Sequence, residues 1–220
     1  MQYKRITLFA GHYGSGKTNI AVNYALHLKS LGNDVVIADL DIVNPYFRTR
    51  DSLAEFQEAG VRLVSSEFAS SNVDLPALPQ EVYSILDNPK EYAIMDIGGD
   101  DRGAYALGRY SDAIKAEDNY EMIFVFNKFR PLTPNAEDAV EIMAEIENAC
   151  HMKFTAIANN SNLGEMTTPE DVIASVDEAE RLSQLTGLPV IMTAVRNDLV
   201  NNLNGKVENL FPLTLQKKII

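Results

Sequence analysis

Cysteine is almost missing from this sequence: among 220 residues only Cys150 carries a thiol. That excludes an internal disulfide framework and a self-contained CxxC metal or iron–sulfur site, and it leaves Cys150 to read as a small core residue. Histidine occurs three times at scattered positions, which gives no zinc-ligand spacing. No apolar run approaches the length of a membrane span, and the opening MQYKRITLF is not a signal peptide, so a cytoplasmic protein is expected. Positive charge is scarce as well: 19 Lys and Arg face 31 Asp and Glu, a formal net charge of −12. Such a chain resists phosphate polymers, which disfavours nucleic acid as a partner, yet a small nucleotide needs only one positive pocket.

Linkers, repeats and low-complexity segments are absent too, so a single domain over 1–220 is expected. What is present is an alternation of apolar runs and helical patterns. Runs at 5–11, 34–40, 61–66, 91–99, 120–127, 153–160 and 188–195 read as buried strands. Helical spacing fills 18–31, 48–59, 77–87, 103–116, 134–149 and 169–186. This order predicts an α/β fold with a mostly parallel sheet of about seven strands and helices on both faces. Ligands of such sheets sit just beyond the carboxyl ends of the strands, which is where the informative residues fall.

The first strand runs into Gly11-His12-Tyr13-Gly14-Ser15-Gly16-Lys17-Thr18, which satisfies G-x-x-x-x-G-K-[ST]. Glycines let the backbone curl with its N–H groups turned toward phosphate oxygens, and the following helix adds its positive end. Lys17 would reach the β- and γ-phosphates, the Thr18 hydroxyl would bind Mg²⁺, and Asn19 continues the nucleotide-binding set. Average residue usage produces the pattern by chance in roughly one chain in a hundred of this size. Here a strand and a helix flank it, as its chemistry requires.

A second carboxylate is needed at another strand end. YAIMD supplies Asp96 in Walker B form, placed to hold Mg²⁺ through water, and Asp96-Ile97-Gly98-Gly99 matches D-x-x-G, in which the Gly99 N–H can approach the γ-phosphate. Asp39 and Asp41 end the second strand. So close a pair can order metal waters and position an attacking water, or can simply form a strand-end turn.

With these motifs in order, the sequence resembles the MinD/ParA-like P-loop ATPases, the CobQ/CobB/MinD/ParA nucleotide-binding family. Members carry a glycine-rich loop, a D-x-D at the end of the next strand and a strand-borne Walker B aspartate, and the step of 24 residues from Lys17 to Asp41 fits their spacing. The resemblance implies ATP and Mg²⁺ as ligands. It casts Asp41 as the catalytic switch I aspartate, Asp39 as its metal-side companion, and Asp96 with Gly99 as switch II. The family loop K-G-G-x-G-K-[ST] contains an extra lysine that crosses to the partner subunit's nucleotide. Here His12 occupies that position, with Tyr13 after it.

Guanine readers show N-K-x-D. Asn127 and Lys128 begin such a motif, but Arg130 stands in place of the aspartate. The resemblance puts an adenine-contacting asparagine at the end of the sixth strand, at Asn159 or Asn160, and so favours ATP over GTP. Arg48, Arg50, Arg102 and Arg109 flank the switch segments as solvated surface charges or as a candidate arginine finger, and 98–110 is the candidate moving switch. The tail 209–220 mixes apolar residues with two lysines. It reads as packing against the domain, with membrane docking by an amphipathic segment as the alternative. Three functions follow, in order of preference: a regulatory ATPase switch with a nucleotide-dependent homodimer or an unidentified protein partner; a small-molecule phosphotransferase or ATP-dependent synthetase; and a metal-centre or cofactor-maturation chaperone.

Overall fold

The computed structural model describes residues 3–40, 52–65, 81–99 and 101–216. Among them, eight strands form one sheet: β1 (Ile6–Ala10), β2 (Val35–Leu40), β3 (Arg62–Ser65), β4 (Tyr92–Ile97), β5 (Tyr120–Phe126), β6 (Ala156–Asn159), β7 (Val190–Arg196) and β8 (Leu210–Leu213). Their order is β3-β2-β4-β1-β5-β6-β7-β8, and every pairing is parallel. The helices are α1 (Lys17–Ser30), α2 (Leu53–Ala59), α3 (Glu81–Asp87), α4 (Asp101–Gly108), α5 (Ser111–Glu117), α6 (Ala136–Cys150), α7 (Pro169–Thr186) and α8 (Val200–Leu203).

Strand periodicity divides the core in two. Ile6, Leu8 and Ala10 of β1 join Val36, Ala38 and Leu40 of β2 and Ala93, Met95 and Ile97 of β4 on the face covered by α3 to α7. Phe9, Val35, Ile37 and Ile94 point the other way, onto Ile20, Ala21, Tyr24, Ala25 and Leu28 of α1 and Phe56 of α2. Both faces are apolar because helices cover both, which is why these strands read as continuous hydrophobic runs. Cys150 is buried in the first of these cores, and burial pushes its thiol up from the ordinary range.

Two departures from expectation are informative. Residues 210–213, expected to pack as part of a tail, add an eighth strand along β7, with Pro212 opposite Val195. Proline lacks a ladder donor, but among the described residues β8 is an edge strand paired with β7 alone, so the N–H is not needed. Leu213 is buried and Phe211 and Leu215 pack against the core, while 217–220 lie outside the described residues. The helix expected over 103–116 is two helices, broken at Arg109 and Tyr110. A Cβ at Gly108 would meet the Ala149 carbonyl at 3.3 Å, so α4 ends pressed on the last turn of α6 and the chain restarts as α5.

The topology fixes where a ligand can go. From β1 the chain moves outward to β2 and β3, returns through β4 beside β1, then proceeds to the other side through β5 to β8. The reversal leaves a crevice beyond the carboxyl end of β1, between the loops that follow β4 and β5.

At the opposite end of β1, Arg5 is a buried clamp. It is ion-paired with Glu117 of α5, and its Nη1 donates to the carbonyls of Ile85 and Asn88 at 3.2 Å each. Replacing Arg5 with methionine leaves these carbonyls without a donor. We expect Arg5→Met to cost about 2 kcal/mol of stability, seen as a lower urea midpoint at an unchanged slope; an unchanged midpoint would show the clamp to be idle.

Candidate functional site

The loop from Gly11 to Gly16 leaves β1 in this crevice and feeds α1. Gly16 takes the left-handed conformation, φ 91°, that turns the chain into the helix. No side chain caps α1 and its first turn holds no acid. By contrast α6 is capped by Asn135, and α7 by a reciprocal Thr168–Asp171 box. The start of α1 therefore has no N-cap side chain to accept from its N–H groups, an arrangement an anion fits.

The loop is held by close packing. A Cβ on Gly11 would lie 2.8 Å from the Val125 carbonyl of β5. One on Gly16 would lie 2.2 Å from Nδ2 of Asn160, and one on Gly99 would lie 2.6 Å from the Tyr13 nitrogen and 2.7 Å from Lys17 Nζ. One on Gly103 would fall 2.6 Å from the Gly98 Cα, so α4 starts hard against the end of β4. Lys17 is buried, and its Nζ donates to the His12 carbonyl at 3.2 Å, which also accepts from the Ser15 N–H at 3.1 Å. The His12 ring turns back to the Tyr13 carbonyl, 2.9 Å away, and the Tyr13 ring is exposed. Ser15 Oγ is buried without a hydrogen-bond partner among the described residues.

The strand-end carboxylates meet. Asp39 of β2 and Asp96 of β4 are register partners, and Asp96 is the partner of Phe9 in β1. Alternation puts both on the α1 face, both buried, and Thr18 is buried in the first turn of that helix. Among the described residues no group of three or more His, Cys, Asp or Glu could hold a metal alone. These residues fit an ion shared with phosphate oxygens and water, held by the Thr18 hydroxyl and the two aspartates. Asp41, Arg48 and Arg50 lie outside the described residues. Arg102 is in the first turn of α4, and Arg109 is exposed at the α4–α5 break.

The asparagines divide by role. Asn159 is buried, donates to Ser175 of α7 at 2.8 Å and accepts from the Ser161 N–H at 3.2 Å. Asn160 instead reaches the loop: its Nδ2 donates to the Ser15 carbonyl at 2.7 Å and its Oδ1 accepts from Asn162 at 3.0 Å. The side chain of Asn19 faces away from the loop and accepts from the Gln216 N–H at 2.9 Å. Asn127 folds onto its own turn, accepting from the Phe129 N–H at 3.0 Å, and Lys128 donates to the Ala174 carbonyl at 2.8 Å. Arg130 lies beside Gly14, where a Cβ would stand 3.7 Å from its Nε. The sequence marks Arg130 only as a departure from the guanine-reading motif, and Asn160 only as a strand-end asparagine. No sequence signal marks either contact, because the partners are far apart along the chain.

No protein-family model matches the sequence, and no curated protein matches it. Solved structures do match in fold. The signal recognition particle receptor FtsY from Elizabethkingia anophelis in complex with GDP is 19% identical with a TM-score of 0.52, over 89% of this chain and 58% of that one. FtsY from Thermotoga maritima is 18% identical with a TM-score of 0.59, over 86% and 61%. The 54 kDa protein of the signal recognition particle from Aeropyrum pernix, also with GDP, is 17% identical with a TM-score of 0.51, over 87% and 41%. This chain thus spans about three fifths of the length of the FtsY structures, 58% and 61%. The fold is that of the P-loop NTPases.

Loss of the Asn160 brace should loosen the loop. We expect Asn160→Ala to cost roughly 1–3 kcal/mol and to accelerate amide exchange across the loop, whereas Asn159→Ala destabilises through α7 and spares it. Equal protection of the loop in both variants would show that Asn160 does not hold it.

Proposed function

We propose that the chain is a Mg²⁺-dependent nucleoside triphosphatase of MinD/ParA type, with ATP as its nucleotide, working as a switch that engages a second copy of itself or another protein in one nucleotide state. The observation that supports it most is the glycine-packed loop, which leads into an uncapped helix with Lys17 beside it. In this reading the backbone N–H groups of Gly14, Gly16, Lys17 and Thr18 and the ammonium of Lys17 bind the phosphates. Thr18, Asp96 and Asp39 hold Mg²⁺, which when bound neutralises phosphate charge. Asp41 orients the attacking water, and Gly99 offers its N–H to the γ-phosphate.

Adenine is favoured because no carboxylate stands where guanine would need one. Asn127 and Lys128 are committed to structural hydrogen bonds, and Arg130 follows in the acid's place. The GDP in two of the similar structures makes guanine nucleotides the necessary comparison. A partner is favoured by exposed large side chains in the segments that follow adjacent strands: Tyr13 after β1, Tyr105 after β4, Leu132 after β5 and Met166 after β6.

Calorimetry with Mg·ATP and Mg·GTP tests the assignment. Lys17→Ala is expected to weaken Mg·ATP binding at least about 100-fold, the loss of two to three charge-assisted hydrogen bonds; unchanged affinity overturns the phosphate-loop role. Asp41→Ala should keep ATP affinity while turnover falls by about 100-fold or more, and its mass by light scattering should double with Mg·ATP if the partner is a second copy. Wild-type turnover in Asp41→Ala would remove Asp41 from the mechanism.

A further inference from the structure

Arg130 lies over the glycine loop. It sits in the turn after β5, a turn fixed at both ends: the Arg130 N–H donates to the Asn127 carbonyl at 3.2 Å, the Thr133 N–H donates to the Arg130 carbonyl at 3.1 Å, and the Thr133 hydroxyl donates to the Asn127 carbonyl at 2.9 Å. The backbone is therefore held while the side chain runs out over the phosphate loop. Its Cδ and Nε approach the place a Gly14 side chain would occupy, at 3.8 and 3.7 Å. The Nε is buried and has no hydrogen-bond partner among the described residues. A guanidinium N–H taken from water and given nothing in exchange is costly, and in a chain of net charge −12 carboxylates to satisfy it are abundant. An arginine kept over the loop under these conditions is suited to an anion that the described residues do not supply.

Strand order says where that anion would be. β1 lies between β4 and β5, so the loop after β1 is flanked by the loops that follow those two strands. On the β4 side, Gly99 packs on Tyr13 and Lys17; on the β5 side, Arg130 packs on Gly14. Lys17 and Arg130 thus bring two cations to one glycine loop from the ends of different strands.

We propose that Arg130 binds the phosphate chain of the nucleotide held by the Gly11–Thr18 loop, acting within its own subunit, as a second cation beside Lys17. This rests on the reading of that loop as a nucleotide site. The planar guanidinium donates through a fixed fork, so it can engage two phosphate oxygens at once, which an ammonium at the same place cannot.

Calorimetry on the full chain with Mg·ATP, for wild type, Arg130→Ala and Arg130→Lys, tests it at low and high salt. Arg130→Ala is expected to lose ten-fold or more in affinity with its urea midpoint unchanged. Arg130→Lys should recover part of that loss. The gap between wild type and Arg130→Ala should narrow as salt rises, since part of the attraction is screened, a response that a purely structural defect would not give. Arg130→Gln, which keeps a polar stem without charge, reads the same quantity if the alanine variant does not fold. If wild type binds Mg·ATP and both uncharged variants match it within two-fold, Arg130 does not touch the nucleotide and the loop assignment stands. If wild type binds neither Mg·ATP nor Mg·GTP, the loop assignment fails and this inference falls with it.

Discussion

Close approach of backbone to backbone beyond the carboxyl end of β1 is the constraint on which the rest of the structure depends. At Gly11, Gly16, Gly99 and Gly103 the nearest atom to an added Cβ would stand between 2.2 and 2.8 Å away, closer than any real side chain tolerates. Three of those neighbours are backbone atoms: the Val125 carbonyl, the Tyr13 nitrogen and the Gly98 Cα. Backbone cannot step aside as the end of a flexible side chain can. The segments after β1, β4, β5 and β6 therefore converge because side chains are missing where they meet. The same omissions leave N–H groups accessible around the loop.

Convergence settles the division of labour among side chains. The parallel register sets Asp39 beside Asp96, and alternation turns both to the face that carries α1. Lys17 is fixed by the His12 carbonyl from within the loop and by the nearness of Gly99 from β4. Asn160 pins the Ser15 carbonyl from β6. The C-terminal segment joins this network from the far side of α1: Asn23 exchanges hydrogen bonds with Thr214 at 2.8 and 2.9 Å, and Gln216 donates to Asn19 at 2.9 Å and to Ser52 at 3.0 Å. Ser52 directly follows residues 41–51 in sequence, so Gln216, the last described residue, is tied both to α1 and to the start of the next described segment.

Much of this was legible in the sequence, for a physical reason. Strands buried on both faces are apolar at most positions, and each of the seven expected runs contains a strand. The glycine loop and the strand-end aspartates stood out because their chemistry is local. What escaped was non-local. β8 carries a proline and needs only one neighbour, so its residues look like a tail until β7 is beside them. The break at Gly108 depends on Ala149, and the Asn160 brace joins residues 145 positions apart. Asn19 follows the motif in sequence, yet its side chain serves Gln216. Adjacency along a helix does not give a shared direction, since successive residues point about 100° apart.

Electrostatics then links metal to nucleotide under the proposed function. A nucleoside triphosphate brings several negative charges to a site that already holds two buried carboxylates. Like charges placed this near in a poorly solvated site raise each other's energy, and Lys17 alone offsets only part of the total. A divalent cation among Thr18, the aspartates and the phosphates reverses the sign of that interaction, so binding of Mg²⁺ and of triphosphate must each strengthen the other by the same factor. A second cation from Arg130 acts on the side away from the aspartates, where it meets no carboxylate in the described structure. Its effect is then carried by phosphate charge, part of which the metal neutralises. Under the proposed function, Lys17 and Arg130 would hold nucleotide alone, and the metal would complete the charge balance.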